Sequence, residues 1–271
     1  MNAGNEGPLW LVGAGNMGGA ILRGWIGSGL DPARIVVIDP AAKALPDGIA
    51  HYSAPPGGGP APATLVLAVK PQLLDAVAPA FAALLAPETL LLSVLAGVEI
   101  ASLRARFPAP RAVVRAMPNL PAAIGRGATA LYGEALDAAL RARAERLVTP
   151  LGLVEWLDRE ALFDAVTALS GSGPAFVFRF IEAMAEAAAT LGLPRDQADR
   201  LALATVEGAA RLAAGADVAP AVLAERVASP GGTTRAGLDV LDDGAALKRL
   251  VAATLTAAAR RSAEMAAAAR G

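Results

Sequence analysis

The residues best suited to chemistry begin at Gly13-Ala14-Gly15-Asn16-Met17-Gly18. This run follows the apolar Leu9-Trp10-Leu11-Val12 and opens a helix-like segment. In that setting the first glycine permits a tight turn and the second lets a pyrophosphate approach the backbone. The third lets helix and strand pack closely. The helix N-terminus adds free N–H groups and a positive dipole end. The chemistry expected is dinucleotide binding. Asp39 ends a β-branched run 21 residues beyond Gly18. A carboxylate there accepts from the adenosine ribose hydroxyls and repels a 2′-phosphate, which favours NADH over NADPH. Asp39 also precedes Pro40 and would suit a turn, and Arg34 and Lys43 lie near enough in sequence to accommodate a phosphate. NADPH and NADH therefore both remain candidate cofactors.

Two further strand ends carry polar residues. Ala68-Val69-Lys70-Pro71 closes a third apolar run. The residue before a proline is pushed to extended geometry, so Lys70 should mark a sharp strand exit, facing a cofactor or solvent. Met117-Pro118-Asn119-Leu120-Pro121 follows a fifth run. Its two prolines make a rigid loop in which Asn119 could bond the nicotinamide ribose or carboxamide, or simply complete a turn.

Two later clusters could hold an anion. Leu169-Ser170-Gly171-Ser172-Gly173-Pro174-Ala175 heads a Phe-rich helix, with Pro174 suited to the first turn and Ser172 to a capping position. Such a helix start could be only capped, or could also bind a carboxylate. In Ser229-Pro230-Gly231-Gly232-Thr233-Thr234, two glycines and two hydroxyl residues precede another helix-like segment. A generic turn explains the glycines but not the paired threonines, so an anion nest is the better reading.

These clusters need a scaffold at their strand ends. Leu9–Val12, Ile35–Asp39, Thr64–Val69, Thr89–Leu95 and Ala112–Ala116 read as strands, with Thr129–Leu131 and Leu153–Leu157 as further ones. Helix-like stretches at Gly15–Ser28 and Gln72–Leu85 lie between them. Repeated β-α-β units predict an α/β fold with a parallel, doubly wound sheet whose carboxyl edge carries the ligand. Pro55 to Pro62 holds four prolines and three glycines and is expected to be a surface loop. From Glu160 onward helical periodicity takes over. Phe176, Phe180, Met184 and Ala188 recur every four residues, with Val177 and Ile181 beside them, as one apolar face. Leu191-Gly192-Leu193-Pro194 should end that helix, and Arg195–Ala214 and Ala245–Ala269 read as two more. The expected domains are 1–159, binding dinucleotide, and 160–271, all-helical. Alanine-dense helix faces suit packing against a second copy, so dimerisation is expected.

Composition excludes several classes. The formal net charge is -1 with no basic run, which argues against nucleic acid. There are no cysteines and one histidine, His51, so thiol chemistry and a His-rich metal site are not expected. Lys70, Asp75, Glu88 and three prolines interrupt the apolar stretch 64–100, which suits buried strands better than a membrane span. The N-terminus shows no basic region followed by a cleavable apolar core. A cytoplasmic protein is expected.

Taken in order, GAGNMG at 13–18, AVKPQ at 68–72, VLAGV at 94–98, RAMPNLP at 115–121, DAVTALSGSGPAF at 164–176 and SPGGTT at 229–234 resemble pyrroline-5-carboxylate reductase over nearly the whole chain. The last two motifs are the most selective. The resemblance implies reduction of the cyclic imine 1-pyrroline-5-carboxylate to L-proline, the last step of proline synthesis. It also implies a helical domain that interlocks with a partner subunit, so a homodimer, and dimers could assemble further. By position it marks the 13–18 turn, Val69, Lys70, Pro71, Leu95, Ala96 and Gly97 as cofactor contacts. It marks Glu160, Ser229, Gly232, Thr233 and Thr234 as substrate-pocket residues, and Thr167 as a hydroxyl near the ring nitrogen. The Pro/Gly loop departs from the family pattern at 51–62, where an asparagine near the adenosine is common.

Three alternatives stay in view. A β-hydroxyacid-type dehydrogenase would need a helix lysine as acid/base, and 160–215 contains none. A reductase of another cyclic imine, or one using a deazaflavin, would differ in substrate profile. A nucleotide-sensing regulator would have no use for the 229–234 anion site.

Overall fold

The computed structural model describes residues 7–42, 45–134 and 136–268. Lys43 and Ala269, named above, lie outside them. Among the described residues, eight strands form one sheet: β1 (Leu9–Val12), β2 (Ile35–Ile38), β3 (Ala50–Tyr52), β4 (Thr64–Leu67), β5 (Leu90–Ser93), β6 (Ala112–Met117), β7 (Gly127–Glu134) and β8 (Gly152–Trp156). Their order is β3-β2-β1-β4-β5-β6-β7-β8. The first six follow the doubly wound dinucleotide-binding order. All neighbours are parallel except β6 and β7. The parallel, doubly wound sheet expected from sequence is present, with one antiparallel pair at its far side. The link from Pro118 to Arg126 is too short for a crossover helix, and an antiparallel return needs none.

The helices are α1 (Asn16–Gly27), α2 (Leu74–Ala82), α3 (Ile100–Arg106), α4 (Ala138–Val148), α5 (Phe163–Val166), α6 (Gly173–Thr190), α7 (Arg195–Ala214), α8 (Pro220–Arg226), α9 (Thr233–Asp242) and α10 (Ala246–Ala268). β1, β4 and β5 are buried at every position, as strands covered on both faces must be. On one face Leu9, Leu11, Ile35, Val37 and Leu92 pack with Ile21 and Trp25 of α1 and Ala144 and Val148 of α4. On the other, Trp10, Leu65, Leu67, Leu91 and Val113 pack with Leu74 and Phe81 of α2 and Leu103 of α3. The Trp25 indole N–H donates to the Leu147 carbonyl at 2.7 Å, fixing α1 to α4.

The chain divides into two compact units, one of residues up to Gly171 together with those from Ala258 onward, the other Ser172–Ala257. Within the first, the end of α10 is tied by Ser262 Oγ, which donates to Asp164 at 2.7 Å. Within the second, Ile181, Met184, Ala185 and Ala188 of α6 meet Ala198 and Ala202 of α7. Val177 and Phe180 of the same apolar face stand 46% and 51% exposed. Gly192 ends α6 at φ +102, and the Leu193 N–H returns to the Ala188 carbonyl, as the Leu-Gly-Leu-Pro run predicts.

Candidate functional site

The Gly-rich turn sits where β1 passes into α1. Its three glycines serve different ends. Gly13 has φ +92, which a side chain rarely tolerates. A Cβ on Gly18 would fall 2.0 Å from the Gly13 carbonyl oxygen, so only glycine lets helix and turn close. A Cβ on Gly15 would meet nothing within 4 Å. Gly15 is thus unneeded for packing and suits the close approach of a ligand.

Asp39 at the end of β2 is locked to this turn. The Ala14 N–H donates to Asp39 Oδ2 at 2.7 Å, and the Ala41 N–H donates to Oδ1 at 2.8 Å. The Asp39 carbonyl lies 2.8 Å from His51 Nε2 on β3. The same two bonds that make the turn also fix the direction of the carboxylate. A groove of about 760 Å³ brings together Ala14, Gly15, Asn16, Met17 and Asp39. It adds residues the sequence reading missed: Gly19, Ala20, Arg23, Ala41, Leu120 and Ala123. Asn16, Ala20 and Arg23 follow i, i+4, i+7 spacing on α1, a signal that could have found Arg23. A Cβ on Gly19 would lie 3.3 Å from Arg23 Nη1, so Gly19 leaves room for the guanidinium to fold back toward the turn.

The other predicted coenzyme residues end neighbouring strands without lining this groove. Ala68 donates its N–H to the Val12 carbonyl. Lys70 is exposed and extended, at φ -67 and ψ 140, as the following Pro71 dictates. After β5, Leu95 is buried and Ala96 exposed, and Gly97 turns the chain at φ +74.

Asn119 and Glu160 are engaged within the chain. Asn119 Nδ2 donates to the Ser170 carbonyl at 3.0 Å, while its Oδ1 accepts from the Ala128 N–H at 2.9 Å. Glu160 Oε1 accepts from Arg115 Nη1 at 2.7 Å and from the Ile100 N–H at 2.8 Å. Arg115 is buried, its guanidinium 4.2 Å from the centre of the Phe163 ring. Tyr132, opposite Arg115 across the sheet, is held above the usual phenol pKa by burial, with the Glu134 and Glu160 carboxylates adding to it.

Thr167 opens a π-helical turn, Thr167–Gly171, that links α5 to α6. Such turns are rare and cluster at functional sites. Ser172 stands at the capping position just before α6, as expected, but its side chain makes no capping bond. This corrects the capped start expected from sequence. The turn delivers Ser172 already helical, at φ -85 and ψ -22, whereas a capping residue is extended. Pro174 does occupy the first turn.

In the second unit Gly231 has φ +73, and the Gly232 N–H closes a tight turn on the Ser229 carbonyl. Gly232 then precedes α9 in extended geometry with no side-chain cap. Thr233 and Thr234 are exposed in the first turn of α9, where uncapped N–H groups point outward. The arrangement can hold a small anion.

The strand order and the Gly-rich turn define a dinucleotide-binding protein of the Rossmann class, with a helical C-terminal part. Residues 160–265 match the family described as pyrroline-5-carboxylate reductase dimerisation. The chain is 42% identical to a pyrroline-5-carboxylate reductase of Pseudomonas aeruginosa, covering 94% of this chain and 96% of that protein. A solved pyrroline-5-carboxylate reductase from Coxiella burnetii superposes with a TM-score of 0.88 at 35% identity, covering 96% of this chain and 99% of the other. A Plasmodium falciparum pyrroline carboxylate reductase, solved with NADP bound, gives 0.80 at 25% identity, covering 96% and 98%. The chain belongs to the pyrroline-5-carboxylate reductase family.

Proposed function

We propose that this chain reduces 1-pyrroline-5-carboxylate to L-proline with NAD(P)H. The observation that carries the reading is the 42% identity over 94% of the chain, together with a Gly15 position left open for a pyrophosphate. A bound nicotinamide would supply the hydride for the imine carbon, and the pyrroline nitrogen would take the proton. We assign coenzyme binding to 1–159, through the 13–18 turn, Asp39, Ala68–Pro71 and Leu95–Gly97. We assign substrate binding and dimerisation to 160–271. Ser229, Gly232, Thr233 and Thr234 anchor the substrate carboxylate with N–H and hydroxyl donors. Thr167 guides the proton, and Ser172 follows it at the helix start. The fixed Asp39 carboxylate supports NADH as the preferred coenzyme.

We further propose a homodimer formed through the helical part, with no membrane partner and a cytoplasmic setting. Glu160–Thr190 is long and apolar enough to cross a membrane by composition, and 11% of its apolar window is buried within the chain. The dimerisation match covers that stretch, and a partner subunit accounts for exposed Val177, Phe178 and Phe180.

The direct test is oxidation of NADH and NADPH in the presence of pyrroline-5-carboxylate. Turnover with either supports the assignment, and coenzyme binding without turnover favours a nucleotide sensor. Thr234→Ala should raise KM for the imine about tenfold, the scale of one lost hydrogen bond to a charged group. An unchanged KM would remove Thr234 from the anchor. Thr167→Ala should lower kcat about 100-fold if its hydroxyl delivers the proton. Wild-type turnover across the pH range would exclude it.

A further inference from the structure

Arg115 and Met117 of β6, with Asn119 just beyond it, hold the segment 160–171 at three points. Arg115 and Met117 point to one side of the sheet because strand side chains alternate, and Asn119 follows two residues later. Arg115 donates to Glu160 at 2.7 Å. A Cβ on Gly171 would come 2.9 Å from Met117 Cε, so that methionine lies directly on the end of the π-turn. Asn119 donates to the Ser170 carbonyl inside that turn, while the Ala128 N–H fixes the other end of its amide. Glu160 also accepts from the N–H of Ile100, the first residue of α3, soon after the Leu95–Gly97 turn.

A π-turn is less favourable than continued α-helix and persists where its surroundings hold it. The Asn119 amide supplies such a hold, with a donor to a carbonyl inside the turn. The Arg115–Glu160 pair supplies another, at the head of the same segment. Arg115 is 7% exposed, and an ion pair so placed is costly to break from one side.

We propose that Arg115, Asn119 and Glu160 are positioning residues that hold the Thr167–Gly171 turn in register with the ends of β5 and β6, and that Glu160 and Asn119 act this way instead of touching substrate or cofactor. The proposal rests on the reductase reading above for its kinetic consequence, but not for its structural one. Loss of the bracket lets the turn relax toward α-helix, which rotates Thr167 away from its working direction. Affinity for either ligand is set elsewhere and should hold.

The test combines Asn119→Asp, Glu160→Ala and the near-isosteric Glu160→Gln. It measures imine KM, kcat, NADH affinity by calorimetry, and hydrogen exchange of peptides covering 167–171. Asn119→Asp removes the donor to Ser170 but keeps an acceptor for Ala128. It and Glu160→Ala should each lower kcat about tenfold and speed 167–171 exchange at least tenfold, with imine KM and NADH affinity within about twofold. Glu160→Gln retains the acceptor and should stay within about threefold of wild type in kcat. A tenfold rise in imine KM or loss of NADH affinity, with exchange unchanged, would make these residues ligand contacts and overturn the proposal. So would wild-type behaviour of both Asn119→Asp and Glu160→Ala. The exchange arm reads the bracket even if the wild type fails to reduce the imine, so failure of the reductase reading is seen separately.

Discussion

Gly15→Ala should fold like the wild type and lose about 100-fold in NADH affinity, whereas Gly18→Ala should lose stability before binding is reached. The two residues lie three apart in one motif, yet their surroundings are opposite. A methyl on Gly15 meets nothing within 4 Å, and its backbone, at φ -66 and ψ -156, is extended and outside the left-handed region. Substitution there should move stability by no more than about 0.5 kcal/mol. The same methyl stands where the pyrophosphate must approach the backbone N–H groups, and a 100-fold loss corresponds to about 2.7 kcal/mol. On Gly18 the methyl would lie 2.0 Å from the Gly13 carbonyl oxygen, a backbone atom that cannot step aside. The start of α1 would have to shift, against Ile21 and Trp25 fully buried on the same helix. Overpacking of that kind costs about 3 kcal/mol. Thermal melts and calorimetric NADH titration of both variants check the pair. NADH binding by Gly15→Ala at wild-type affinity would show that the ligand does not cross this turn.

Much of this architecture was legible because its signals are local. The strand–glycine–helix run, Pro71 after Lys70, and Gly192 before Pro194 each fix backbone geometry within a few residues. The turn reading of Asp39 was legible, and the structure shows it in the bonds from the Ala14 and Ala41 N–H groups. What escaped depends on contacts distant in sequence. Asn119 and Ser170 are 51 residues apart, and Ile100 and Glu160 are 60 apart, so no periodicity announces their pairing. The π-turn escaped because Thr167-Ala-Leu-Ser-Gly has the composition of an ordinary helix entry. β3 escaped because only three residues pair, two of them exposed on the sheet edge. The direction of β7 escaped because alternation of side chains is the same for parallel and antiparallel strands.

Asp39→Ser should shift the ratio of kcat/KM for NADH over NADPH toward NADPH by about 100-fold, chiefly by admitting the 2′-phosphate. The carboxylate is held between two backbone N–H donors at 2.7 and 2.8 Å, so it cannot swing aside when a phosphate arrives. Two like charges about 4 Å apart near a protein surface repel by up to about 4 kcal/mol, enough for a 100-fold preference. Serine keeps a short acceptor that can close the turn toward the Ala41 N–H, and removes the charge. His51 Nε2 faces the Asp39 carbonyl, which the substitution leaves in place, so the β2–β3 edge should hold its shape. The gain with NADPH should exceed the loss with NADH, because the ribose diol can still bond to the serine hydroxyl or to water. Steady-state kinetics with both coenzymes at saturating imine give the ratio. A wild type that already prefers NADPH, or a variant whose ratio does not move, would mean that the adenosine ribose does not lie against Asp39.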